Sequence, residues 1–146
     1  MVDTTGSYSV SAWAKLSSLP GNWATVVSQD GKTGASPFFL QYGHGQFAFS
    51  FPDGPRATLA MIPELERWYH LVGVRDAAGQ TLKLYLDGKP AASVNVCGGD
   101  ESTGILAIGR GQWDGSPTDF WPGAVDQVQV FDRALTDAEV VTLAAG

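Results

Sequence analysis

Leu82-Lys-Leu-Tyr-Leu-Asp-Gly-Lys-Pro-Ala-Ala-Ser-Val-Asn-Val96 is the stretch that decides the architecture. Leu82, Leu84 and Leu86 alternate with Lys83 and Tyr85, the two-residue period that turns one side of an extended chain to a core. Asp87-Gly88 supplies the positive φ angles of a tight turn, and Ala92-Ser-Val-Asn-Val96 returns, so residues 82–96 read as an antiparallel hairpin. Outward from it the same pattern recurs. Phe47, Phe49 and Phe51 share a face, as do Tyr8, Val10, Ala12, Ala14 and Leu16, with Trp13 on the reverse. Residues 105–108 and 124–131 read as further strands. Pro20-Gly21, Asp30-Gly31, Pro52-Asp53-Gly54-Pro55, Gly98-Gly99, Asp114-Gly115 and Pro122-Gly123 mark the turns between them. Roughly nine strands 8 to 15 residues apart, with no repeat or linker, predict one all-β sandwich or barrel. One short helix is expected near the end, where Thr136 and Glu139 form a capping box ahead of Val140 and Leu143. The predicted core comprises Val10, Trp13, Val27, Leu40, Phe49, Leu71, Val74, Leu84, Ile108, Val128 and Val130, with Trp68 beside it.

Charge narrows the function classes. Nine Lys and Arg against fifteen Asp and Glu give a net charge of −6 over 146 residues. Nucleic acids and anionic membranes are held by basic faces, so neither is an expected partner. No apolar run approaches the ~18 residues of a membrane span, and the first ten residues carry no leader-like pattern, so membrane insertion is not expected. The single cysteine, Cys97, cannot close an internal disulfide and is expected as a small, partly buried residue.

Six segments, in order, resemble the signature segments of bacterial laminin G-like jelly-roll domains. They are Ser9-Val-Ser-Ala-Trp13, Val27-Ser-Gln-Asp-Gly31, Trp68-Tyr-His-Leu-Val-Gly-Val74, Leu84-Tyr-Leu-Asp-Gly88, Ile108-Gly-Arg110 and Gly123-Ala-Val-Asp-Gln-Val-Gln-Val-Phe-Asp-Arg-Ala-Leu135. The resemblance implies a concanavalin A-like sandwich of two antiparallel sheets, with residues 1–146 as a single domain and one module of a larger secreted or cell-surface protein. It also implies binding to a polysaccharide or other glycan, with a protein ligand as the alternative. Calcium sites are common in the family. The matching residue here is Asp126, with Asp114 and Asp119 as helpers, since calcium takes six to eight oxygens from carboxylates and carbonyls. The upstream strand whose turn supplies calcium oxygens in relatives has no counterpart in the few residues before Tyr8.

Catalysis is not expected. Laminarinase-type hydrolases of this architecture carry Glu-x-Asp-x-(x)-Glu on one strand, and that motif is absent. Glu64 and Glu66 fall in a Pro-broken turn, His44 and His70 in separate segments, and no nucleophile elbow, zinc-binding helix or phosphate loop occurs.

Sugar binding needs aromatic rings for apolar sugar faces, flanked by planar hydrogen-bonding groups. Arg110-Gly-Gln-Trp-Asp-Gly-Ser-Pro-Thr-Asp-Phe-Trp-Pro122 concentrates both, with Trp113, Phe120 and Trp121 interleaved with Arg110, Gln112, Asp114 and Asp119 in a segment expected to be irregular. Gln29, Gln41 and His44 make a second candidate surface, because amides on apolar strands must find partners. Trp23 is expected as an isolated loop ring.

Overall fold

The computed structural model describes every residue except Met1, Thr33, Asp53, Asp100 and Thr103, so Asp53 of the Pro-Asp-Gly-Pro turn lies outside the described residues. Twelve strands and one helix follow in order: β1 Tyr8–Leu16, β2 Ala24–Gln29, β3 Phe39–Gly43, β4 Gln46–Ser50, β5 Arg56–Ala60, β6 Trp68–Asp76, β7 Thr81–Leu86, β8 Lys89–Asn95, β9 Leu106–Ile108, β10 Gly111–Trp113, β11 Ser116–Thr118, β12 Gly123–Phe131 and α1 Asp137–Ala145. One five-stranded sheet runs β12-β1-β6-β7-β8 and the other β5-β4-β3-β2-β9, while β10 and β11 form a separate hairpin. Every pairing is antiparallel. This is the predicted jelly-roll sandwich. The β7–β8 hairpin turns through Asp87 at φ 50° and Gly88 at φ 83°, as its Asp-Gly pair predicts.

Between the sheets lies one core. Val10, Leu71 and Leu84 of the first sheet meet Val27, Leu40 and Phe49 of the second, all fully buried. Each such side chain is worth ~1.5–3 kcal/mol when removed from water. Tyr8, Phe38 and Phe49 interlock, with ring centroids 5.2 to 6.5 Å apart. The opposite face of the first sheet is covered by α1, where Val140 and Leu135 pack on Val72, Val74 and Tyr85. Thr136 accepts the Glu139 N–H and Glu139 accepts the Thr136 N–H, completing the predicted capping box. No described helix is long and apolar enough to cross a membrane.

Several predicted core positions come out differently. Ile108 is 56% exposed because β9 is the edge strand of its sheet, so an inward direction does not bring it cover. Trp13 lies half-buried on the outer face of the first sheet beside His70, at 4.9 Å, where α1 covers the sheet only in part. Val128 and Val130 are partly buried on the edge strand β12. Trp68 is 39% exposed at the start of β6, with the Lys15 ammonium 5.1 Å from its ring. Cys97 is exposed rather than partly buried.

His70 is buried, and its Nδ1 has no hydrogen-bond partner. Burial holds its pKa below the usual 6.5, against an opposing pull from Asp87. The unfolded chain therefore binds the proton more readily, and the stability that the neutral ring confers is present above pH 6.5 and lost as pH falls toward the folded value. A His70→Gln variant is expected to lose less of its denaturation midpoint between pH 7 and 5 than the parent chain. Parallel losses in the two would sink this assignment.

Candidate functional site

Period-2 geometry gives the second sheet an outer face as well as a core face. Ser28, Phe39, Ser50 and Arg56 form one cross-strand row on it, and Thr25, Gln41, Ala48 and Thr58 the next. The β10–β11 hairpin lies against this face. At Gly111 an added Cβ would stand 2.7 Å from the Phe39 ring and 3.2 Å from Thr25 Oγ1, so only glycine lets the hairpin settle so closely. The hairpin is then stitched in place: the Ser36 N–H donates to the Gln112 carbonyl, the Gln112 N–H donates to Ser36 Oγ, Gln112 Oε1 accepts the Gly31 N–H, and Ser28 Oγ donates to the Arg110 carbonyl. Arg110 closes a bidentate pair with Asp30 at 2.8 and 3.0 Å.

The result is a groove of about 340 Å³ along the outer face, within the ~300–1,000 Å³ of small-ligand sites. Trp113, 44% exposed, and Asp119 stand on the hairpin side, with Gln41 and Ser50 on the floor and Trp23 and Arg56 on the far side. Gln41 Nε2 donates to Ser50 Oγ at 2.9 Å, which fixes the amide plane. Trp23 is held edge-on by His44 at 5.0 Å and has the Arg56 guanidinium 5.3 Å from its ring. His44 Nε2 in turn lies 3.0 Å from Asn22 Oδ1. Asp119 is half-buried, and that burial raises the pKa of its carboxyl. Rings, an oriented amide and two opposite charges thus converge on one strip.

The two candidate surfaces, separate in the sequence, partly merge here. Trp113, Asp119 and Gln41 line the groove, and His44 braces its Trp23 wall. Others are redirected. Trp121 is buried, its indole N–H donating to the Lys15 carbonyl at 3.1 Å, so it plugs the sandwich instead of joining a ring platform. Phe120 is 67% exposed but does not line the groove. Arg110 and Gln112 are consumed by the hydrogen bonds that seat the hairpin, and the segment predicted irregular holds the regular β10–β11 pair. Gln29 is fully buried in the sandwich, bonded to both backbone groups of Val2 and to the Ser102 carbonyl, and faces no ligand surface. Trp23 is more than an isolated ring, and it is joined by Arg56, a groove residue whose signal in the sequence is its place at the head of the outward-facing Arg56, Thr58, Ala60 series.

The three predicted metal ligands do not come together. Asp114, at φ 51°, turns the hairpin tip; Asp119 sits in the groove; Asp126 is exposed on β12 of the other sheet, its Oδ1 accepting the Gln127 N–H at 2.8 Å. Among the described residues no three His, Cys, Asp or Glu side chains form a metal-holding group. These carboxylates do not fit a shared calcium ion.

A two-sheet antiparallel sandwich with a ring-lined strip on one outer face is the class of protein these observations define. Residues 1–141 match a laminin G-like family model, and the chain belongs to the concanavalin A-like lectin/glucanases superfamily. No curated protein sequence matches it. Among solved structures it is similar to a Bacteroides ovatus protein described as carbohydrate binding, with 17% identity, TM-score 0.75, and coverage of 94% of this chain and 40% of that one. It is also similar to a heptameric SAP-like pentraxin from Limulus polyphemus, with 20% identity, TM-score 0.73, and coverage of 97% and 71%. A third is Trypanosoma rangeli sialidase in complex with 2,3-difluorosialic acid, with 22% identity, TM-score 0.72, and coverage of 96% and 23%. The chain spans less than a quarter of the sialidase and under half of the Bacteroides protein. At these identities the likeness is one of fold.

Proposed function

We propose that the chain is a non-catalytic carbohydrate-binding module whose site is the groove on the outer face of the β5-β4-β3-β2-β9 sheet. The carrying observation is the convergence of Trp113, Trp23 and the fixed Gln41 amide on one strip, which matches an alternating apolar and hydroxylated sugar face. The Bacteroides neighbour, described as carbohydrate binding, supports the same class. Asp119 is the single acidic group among the groove's described lining residues, whereas glycosidase chemistry in most families uses a pair of carboxylates about 5 to 9.5 Å apart. Such a module serves a secreted or cell-surface protein, where extracellular polysaccharides are met.

A glycan array probed with and without calcium and a chelator tests this directly. Binding that survives chelation agrees with the dispersed Asp114, Asp119 and Asp126. For the best array ligand, Trp113→Ala combined with Trp23→Ala is expected to weaken binding about thirty-fold, from ~1 kcal/mol of stacking per ring. Calorimetry on a folded double variant with unchanged affinity would remove the groove from consideration.

A protein ligand is the second reading. Ile105, Ile108 and Phe120 are all more than half exposed, beside the edge strand β9. Ile108→Ser with Phe120→Ser would abolish binding on that reading and leave it intact on the first.

A further inference from the structure

We infer that the ligand is a neutral, linear polysaccharide chain that leaves the groove across Pro52 and continues into a second hollow at the end of the sandwich. This rests on the carbohydrate-binding reading above. The second hollow, about 630 Å³, lies between the β4–β5 connection and the β6–β7 turn, and Phe51 and Pro52 line both it and the groove. Two concavities with a common rim suit a ligand that extends past one site. A single sugar has no use for the second.

The lining chemistry sets the ligand class. Gln80 and Asn95 offer amide donors and acceptors in the second hollow, and none of its described lining residues carries a charge. Among the groove's described lining residues the one cation, Arg56, is matched by one anion, Asp119. With a net charge of −6 on the chain, neither hollow attracts a polyanion. Hydroxyl-rich neutral sugars meet amides in both.

The second hollow is also preformed. Arg75 is buried beneath it and donates to the carbonyls of Val96 at 3.3 Å and Gly98 at 2.9 Å, pinning the strand exit that forms one wall. Its guanidinium lies 5.4 Å from the Phe51 ring, tying that wall to the shared rim. Sugars linked to one already held in the groove therefore reach a rigid surface at high effective concentration.

The test is a length series. Cello-, laminari- and xylo-oligosaccharides of one to eight sugars, with oligogalacturonides as the charged arm, are titrated against the intact chain. In parallel, maleimide labelling is followed at Cys97, the only cysteine and part of the second hollow's lining. Affinity is expected to rise at least tenfold from the shortest binder to chains that cross Pro52 and then level off, and only the longer chains should slow Cys97 labelling. Asn95→Ala, at an exposed strand end, removes one of the second hollow's two amides and should cut the gain with length while leaving the shortest binder unchanged. Equal affinity at all lengths with unprotected Cys97 overturns the second hollow while the groove stands. Preference for oligogalacturonides overturns neutrality. Failure of every oligosaccharide to bind overturns the groove as a sugar site, and this inference with it.

Discussion

Gly73→Val is expected to cost ~3 kcal/mol or more and to move the urea midpoint far below that of the parent chain. Gly73 sits in the middle of β6, facing the core, and a Cβ built there would stand 2.4 to 2.7 Å from three atoms of the Phe49 ring. Phe49 cannot step aside, because it is fully buried and wedged against Tyr8 at 6.5 Å and Phe38 at 5.9 Å. Overpacking of a filled core costs ~1–3 kcal/mol and occasionally more, and a β-branched side chain against a locked ring belongs at the upper end. Even Gly73→Ala should lower the urea midpoint measurably. The pair Gly73→Ala with Phe49→Leu should recover part of that loss. If Gly73→Val unfolds at the same urea concentration as the parent, the sheets are not packed as described.

Gln29→Leu is expected to cost about 3 kcal/mol, roughly 10 °C in Tm for a domain of this size. The amide is a clasp: Oε1 accepts the Val2 N–H at 2.7 Å, and Nε2 donates to the Val2 carbonyl at 3.0 Å and reaches the Ser102 carbonyl at 3.5 Å. Val2 is buried in the main core, so its backbone has no water to turn to. Leucine keeps the volume and strands two or three polar groups at ~1–3 kcal/mol each, less whatever the first residues recover by pulling free. Thermal denaturation measures the loss, and hydrogen exchange should show deprotection at Val2. A shift of under 2 °C would mean that the clasp contributes nothing.

The contrast between Gln29 and Gln41 shows where the sequence stops being legible. Both are amides on apolar strands, and alternation alone gives them the same status. A bulge between Thr25 and Val27 shifts the register of β2, so Val26 and Val27 are both buried and Gln29 turns into the core, while Gln41 on regular β3 stays outside. A bulge inserts one residue and reverses every face after it, and nothing in Ala-Thr-Val-Val-Ser-Gln announces it. Local signals carried well: the Asp87-Gly88 turn, the Thr136 cap, and the alternation of Leu71, Leu84 and Phe49. Ile108 failed because alternation reports direction and not cover. Trp113 and Trp121 belong to the same short segment, and only in the folded chain does Trp121 enter the core with its indole N–H on the Lys15 carbonyl while Trp113 stays on the hairpin. The groove itself draws on residues 22–23, 39–56 and 113–119, which are adjacent only once the sheet order β5-β4-β3-β2 exists and the hairpin is laid across it. One tryptophan, one carboxylate and one amide of that strip were legible, Trp113, Asp119 and Gln41. Their meeting was not.

The placement of α1 has a practical side. The helix lies on the outer face of the β12-β1-β6-β7-β8 sheet, and the groove opens on the outer face of the opposite sheet, with the full thickness of the sandwich between them. Whatever is joined after Gly146 therefore departs from the far side. A biotin, a sensor surface or a fused reporter attached there leaves the sugar-facing strip turned outward, whereas lysine coupling would put Lys32, near the hairpin's anchor at Gly31, among the attachment points.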